Sequence, residues 1–220
     1  MTAPVQLEKP AGQAPRCFMG VPEAAPSITQ ELNAYFARSH GRQTIRILGI
    51  ALFHLGPLMD AFLTQQLLRQ PPPRRLRIDI ALIDRNWRGS KRLTGSSSQA
   101  AKFSLRRIMS FIQEHQEEMT RCHWSINVYS YRYTPHLFGI LIKDSPLFVG
   151  RSFWDGNVLR GGSNEIEVFE NRDAHGSQKI AEFKGWFEKS KQRPLILNNK
   201  ILGAASCFLR RREPGNDRGR

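Results

Sequence analysis

Apolar and polar positions follow two periods along the chain. Thr44 to Phe53 (Thr-Ile-Arg-Ile-Leu-Gly-Ile-Ala-Leu-Phe) is an almost unbroken apolar run, the pattern of a strand covered on both faces. Leu76, Ile78, Ile80 and Leu82 alternate through Leu76 to Ile83, and Ile166 and Val168 alternate with Glu165 and Glu167. A further strand is predicted over Ser125 to Tyr131. Helical spacing appears at Ile28, Leu32, Tyr35 and Phe36, after a capping-box signature at Ser27-Ile-Thr-Gln30 and before Gly41. It returns at Leu58 to Arg69, with Leu58, Phe62 and Leu68 inward and Pro71-Pro-Pro73 as the stop. Two later helices are predicted: about Gln99 to Met119, with Ala101, Leu105, Ile108 and Ile112 inward, and Ser177 to Lys191, with Ile180, Phe183 and Phe187 inward. Leu195 to Leu202, broken at Asn198-Asn199, reads as a small hairpin.

This order is strand, helix, strand, helix, a cluster of strands and a last helix. It predicts an α/β fold, a three-layer α/β/α sandwich with a mixed sheet. A length of 220 residues suits one domain. Residues 1–26, rich in Pro, Ala and Gln, read as a disordered arm. The domain is expected over 27–192. A C-terminal extension over 193–220 ends in a basic Gly/Pro/Arg tail.

Tyr133 to Gly150 holds the candidate chemistry. Two short strands flank a turn at Lys143-Asp-Ser-Pro146, and alternation places His136, Phe138, Ile140 and Ile142 on one face. The second strand, Leu147-Phe-Val149, ends at Gly150. A histidine entering an apolar strand, then a turn, a second apolar strand and a glycine, resembles the core motif of the phospholipase D superfamily. That family writes His-x-Lys, four residues, Asp, then a hydrophobic strand and Gly-Ser. Here His136 stands at the histidine, Phe138 at the lysine and Lys143 at the aspartate, with Asp144 one place late. Gly150 falls in register but is followed by Arg151-Ser152. The Ser163-Asn-Glu165 turn into a strand and the closing amphipathic helix with Trp186-Phe187 are similar to the family's later features. The resemblance covers about Ser27 to Lys191 and describes a single-repeat, nuclease-type chain with a degenerate motif.

The resemblance implies a two-step phosphodiester cleavage. One histidine attacks phosphorus, a second protonates the leaving oxygen, lysines hold the non-bridging oxygens and an acid orients each imidazole. Single-motif chains complete such a site as two-fold dimers, so a homodimer is expected. His136 takes the nucleophile's position and Glu165 that of the orienting acid. Phe138 cannot bind a phosphate oxygen. Lys143 and Ser152 are the candidate replacements among the phosphate ligands, and His54, ending the first strand, is a further candidate.

Charge sharpens the choice of partner. Lys and Arg total 33 against 19 Asp and Glu, a net charge of +14, which favours a polyanion and nucleic acid first. From Arg85 to Arg107 there are seven Lys/Arg and no acid. Arg85, Arg88, Lys91 and Arg92 lie among glycines and serines in a loop after the second strand, and Trp87 offers a stacking surface. Arg46, Arg74, Arg75 and Arg77 are expected to extend this patch, and the arginine tail adds salt-sensitive attraction. Cys17, Cys122 and Cys207 are far apart and the six histidines are scattered, so neither a metal nor a cofactor is expected. The longest apolar run is interrupted by Arg46, His54, Gly56 and Pro57, and the first residues lack a leader pattern. Cytoplasmic location without integral membrane association is the expectation.

Three readings follow: a degenerate phospholipase D-like domain that binds phosphate-bearing ligands without efficient hydrolysis, an active dimeric phosphodiesterase or nuclease using His136, and a non-catalytic protein-interaction module.

Overall fold

The computed structural model describes residues 16–38, 41–52, 55–69, 75–84, 95–133, 136–155, 158–160 and 165–209. The elements are β1 (Arg16–Met19), α1 (Val21–Arg38), β2 (Gln43–Gly49), α2 (Leu55–Leu67), β3 (Leu76–Ile83), α3 (Gly95–Glu114), α4 (Gln116–Arg121), β4 (Ser125–Tyr131), β5 (Leu137–Ile142), β6 (Leu147–Arg151), β7 (Phe153–Asp155), β8 (Val158–Arg160), β9 (Glu165–Phe169), α5 (Ala174–Ser190), β10 (Arg193–Leu197), β11 (Lys200–Ile201) and α6 (Gly203–Leu209). Nine strands form a mixed sheet in the order β1-β9-β6-β5-β2-β3-β4-β10-β11, and β7 and β8 pair separately. β2, β3 and β4 are parallel, and β5 runs antiparallel to β2. The fold is α/β, with helices on both faces of the sheet, as its alternation of elements predicts.

Register assigns the two faces. Ile45, Ile47, Ile78, Ile80, Ile126 and Val128 point towards α2 and α3. Ile140 and Ile142 pair with Ile47 and Ile45 and share that face. Leu147, Val149 and Phe169 point the other way, towards α5. All of these side chains are buried, so the central strands are apolar on both sides. α5 forms because Asp173 caps it, accepting from the Gly176 N–H at 2.7 Å, and because Ile180, Phe183 and Phe187 make one buried stripe. The same face carries a buried polar group. Asp79 accepts two bonds from Arg77 Nε at 2.9 Å and one from Asn127 Nδ2 at 2.7 Å. The carboxylate is paired and hydrogen-bonded, as a buried charge must be.

Several elements differ from the sequence expectation. The arm predicted over 1–26 is structured from Arg16: β1 pairs with β9, and α1 starts at Val21, six residues before Ser27. Pro22 fits the first helical turn, where backbone N–H groups lack helical acceptors, and Pro26 is carried inside. The buried stripe begins at Val21 and Ala24 and so anchors that first turn. The strand predicted over 44–53 stops at Gly49, and Leu68, predicted inward, is 76% exposed just past the end of α2. The long helix predicted over 99–119 is two, α3 and α4. The β7–β8 pair between β6 and β9 is not among the predicted strands. Within the predicted C-terminal extension the chain forms a further helix, α6, which buries Ala205 and Phe208. The hairpin at Asn198-Asn199 is present, with both asparagines at positive φ (47° and 66°), the geometry of a two-residue hairpin turn. Among the described residues no helix is long and apolar enough to cross a membrane.

Candidate functional site at the His136 edge

The parallel strands β2, β3 and β4 end together at Gly49, Ile83 and Tyr131, and Leu137 of β5 lies at the same edge. His136 sits just outside β5 there and is exposed. The carboxyl edge of the parallel strands is the usual ligand-binding edge of an α/β sheet. α5 starts at the far edge, after Phe169, and runs back to bring Trp186 against His136, ring centroids 5.7 Å apart and edge to face. Tyr133 packs on Trp186 at 5.7 Å and on Tyr131 at 4.8 Å. Tyr133 also donates to the Trp186 carbonyl at 3.3 Å, and its hydroxyl hydrogen-bonds that of Ser190. Burial pushes the Tyr133 phenol up and holds the fully buried Tyr131 phenol well above its usual value.

Beside His136 a cleft of about 410 Å³ opens between α5 and the strands β6 and β9. Its floor is apolar: Leu137, Leu147, Val149 and Phe169. Its polar groups are His136, Arg151, Ser152, Glu167, Lys179 and Glu182, with Trp186 as one wall. The Ser152 N–H donates to the His136 carbonyl at 3.0 Å, carrying the β5–β6 ladder one residue beyond the strands. The Ser152 hydroxyl oxygen is shut from solvent and has no hydrogen-bond partner among the described residues.

The two faces of the sheet separate the motif residues. Phe138 pairs with Gly150 across the β5–β6 ladder; the Phe138 ring lies on the side of Ile166, away from the cleft, and Gly150 turns only its backbone to the cleft. A Cβ at Gly150 would come 2.3 Å from the Phe138 ring and 3.0 Å from Ile166. The expectation that His136 and Phe138 share a face is therefore corrected. His136 precedes the strand, turns to Trp186 and leaves Phe138 in the core beneath α1–α3, 6% exposed.

The predicted site residues do not all converge. Ser152 and His136 do, across one pair of strands. Lys143 closes the opposite end of β5, about 23 Å along the strand from His136, where its N–H donates to Thr44 at 2.7 Å. Glu165 stands at the correct edge but on β9, two strands from β5 and so about 10 Å away. It lies beside Cys17, and its hydrogen bond, then burial, then its charge and that of Glu167 push the Cys17 thiol up. The acids lining the His136 cleft are instead Glu167 and Glu182. Arg46 and Arg77 do not extend the patch from the basic loop. Both lie towards the amino ends of β2 and β3, where Arg46 donates to the Lys143 carbonyl at 3.1 Å and Arg77 is held by Asp79. Arg75, just before β3, is at that same end. Arg74, His54, Ser163 and the basic-loop residues Arg85, Trp87, Arg88, Lys91 and Arg92 lie outside the described residues.

The loop's attachment points are described. It leaves from Asp84, buried and bonded by Arg132 Nε at 2.8 Å, and returns at Gly95, the start of α3. Asp84 follows β3 directly, at the His136 edge. Sequence reasoning missed Lys179, Glu182 and Trp186 as cleft residues. Their signal was present only as the outward-facing positions of a helix whose inner stripe is Ile180, Phe183 and Phe187.

No family model matches the chain, and no match was found among curated proteins. Among solved structures the chain is similar to a phosphatidylserine synthase of Haemophilus influenzae Rd KW20, with a TM-score of 0.41 and 10% identity, over 86% of this chain and 39% of that one. It is also similar to TrmBL2, an archaeal chromatin protein with a novel mode of DNA binding, with a TM-score of 0.37 and 11% identity, over 81% of this chain and 52% of that one. The chain thus spans about two fifths and one half of the lengths of these two proteins.

Proposed function

We propose that this is a phospholipase D-like domain with a degenerate site, which binds a phosphate-bearing ligand, nucleic acid first, at the His136 edge without efficient hydrolysis. The observation that carries the reading is the separation of His136 from any cation on its own strand, β5. His136 stands exposed beside an open cleft, while the residue two places on, Phe138, points into the opposite core over Gly150. A phosphoryl transition state needs donors around its equatorial oxygens, and each one lost typically costs on the order of 3 kcal/mol. Strand β5 places no such donor next to His136, and Lys143 is at the wrong end. Ground-state binding asks less: a cation, a donor and an accessible edge. Nucleic acid is favoured as partner because the net charge is +14 and a loop with four Lys/Arg departs from Asp84 at this same edge.

The test compares wild type with His136→Ala in EDTA, on labelled DNA and RNA, reading binding and cleavage together. Binding without cleavage in the wild type, weakened by the substitution, is the expected result. Cleavage lost with the substitution would replace this reading by an active phosphodiesterase. Neither binding nor cleavage would leave the fold as a protein-interaction module.

A further inference from the structure

We infer that Lys179, reaching into the cleft from α5, is the cation that holds the ligand's phosphate in the cleft that opens beside His136, and that Glu182 is its intramolecular competitor. The inference rests on the binding role proposed above and names the residues that perform it.

Several cations near this edge are engaged elsewhere. Arg132 is held by Asp84 at 2.8 Å. Lys189 stands over the Trp186 ring at 5.4 Å, and Lys191 is held by Glu188 at 2.8 Å and lies over Phe187 at 5.2 Å. Lys184 pairs with Asp144, which follows Lys143 at the opposite end of the sheet. Among the described residues, the cations that line the cleft are Arg151 and Lys179. Arg151 ends β6 at the rim, opposite Leu137. Lys179 lies seven residues before Trp186 on α5, about 10 Å along the helix axis, and lines the same groove towards the start of α5.

The Lys179 Nζ is 3.1 Å from Glu182 Oε2, with the two side chains 32% and 42% exposed. A pair this exposed is weak, so an anion entering the cleft can displace the carboxylate at little cost. The Glu182 oxygen then occupies the position at Nζ that a phosphate oxygen would take. A second observation points to a missing acceptor. The Ser152 hydroxyl is buried beside His136 with its hydrogen-bonding capacity unused, and a buried polar group left without a partner is unfavourable. A ligand in the cleft that reaches Ser152 supplies the acceptor there, and its phosphate takes the place of Glu182 at Lys179.

The prediction is of opposite signs for two neighbouring residues. Binding of a dinucleoside monophosphate to the full chain is measured by calorimetry for wild type, His136→Ala, Lys179→Gln, Lys179→Arg and Glu182→Gln. Lys179→Gln is expected to weaken binding about tenfold, Lys179→Arg to restore most of it, and Glu182→Gln to tighten binding about threefold. A Lys179 with a purely structural role in α5 would not give this tightening. If His136→Ala weakens binding but Lys179→Gln does not, the cleft still binds and the role of Lys179 is overturned. If Glu182→Gln weakens binding, the competition is overturned. If neither His136→Ala nor Lys179→Gln changes the affinity, the proposed function fails with it.

Discussion

At the scale of single residues, Gly150 answers to packing before chemistry. The sequence resemblance sets it at a motif glycine; in this structure a local steric demand falls on it. Phe138 stands directly opposite, and its ring occupies the space a Cβ would need, 2.3 Å away. A bulky aromatic on one strand and glycine on its partner make a cross-strand pair. Phenylalanine at the motif's lysine position and glycine at the motif's glycine position are thus one steric arrangement. Gly150→Ala is expected to cost about 2 kcal/mol by overpacking, read as a lower urea midpoint with an unchanged slope. In the Phe138→Leu background the same change should cost clearly less. Equal costs in both backgrounds would mean that the strands simply part, and that the pair is not coupled.

At the scale of elements, what could be read in advance followed the strength of local periodicity. β3, β4 and β9 appear with the predicted ends, because each is an apolar alternation bounded by polar or turn residues. The first turn of α1 was hidden by Pro22 and Pro26, which lower helix propensity while Val21 and Ala24 supply burial. α6 was hidden for a different reason: seven residues carry too little pattern, and its stability comes from packing against β10. Phe208 is 2% exposed, so Phe208→Ala is expected to cost about 3 kcal/mol in chemical denaturation, the loss typical of a buried core aromatic. A cost below about 0.5 kcal/mol would show that α6 is an appendage to the domain. The candidate site was legible where it is local, since His136 and Ser152 meet across one hairpin. It was illegible where it depends on topology. Glu165 is a strand too far because β6 lies between β9 and β5, and Lys179 is in place because α5 folds back across the sheet. Neither fact is written in residue spacing.

At the scale of the whole molecule, charge is unevenly placed with respect to the two edges of the sheet. Arg46, Arg75 and Arg77 belong to the amino ends of the parallel strands, and two of them are engaged there by Lys143 and Asp79. Arg85, Arg88, Lys91 and Arg92 follow Asp84 in the sequence, and Asp84 lies at the carboxyl end, with His136. If nucleic acid binds at the His136 edge, only the second group should release counterions on binding. The logarithm of affinity falls with the logarithm of salt by about 0.7 to 0.9 for each phosphate neutralised. Neutralising Arg88, Lys91 and Arg92 together is therefore expected to lower that slope by about 2 and to weaken binding at low salt by more than about tenfold. Arg46→Gln with Arg75→Gln should leave the slope within about 0.5 of wild type. The measurement is fluorescence anisotropy of a labelled single strand across a salt series. An equal loss from both sets would mean that the +14 charge acts as a diffuse cloud and that no edge is preferred. A loss from the Arg46 and Arg75 changes alone would move the interface to the opposite end of the sheet, away from His136, and with it the ligand that the cleft would serve.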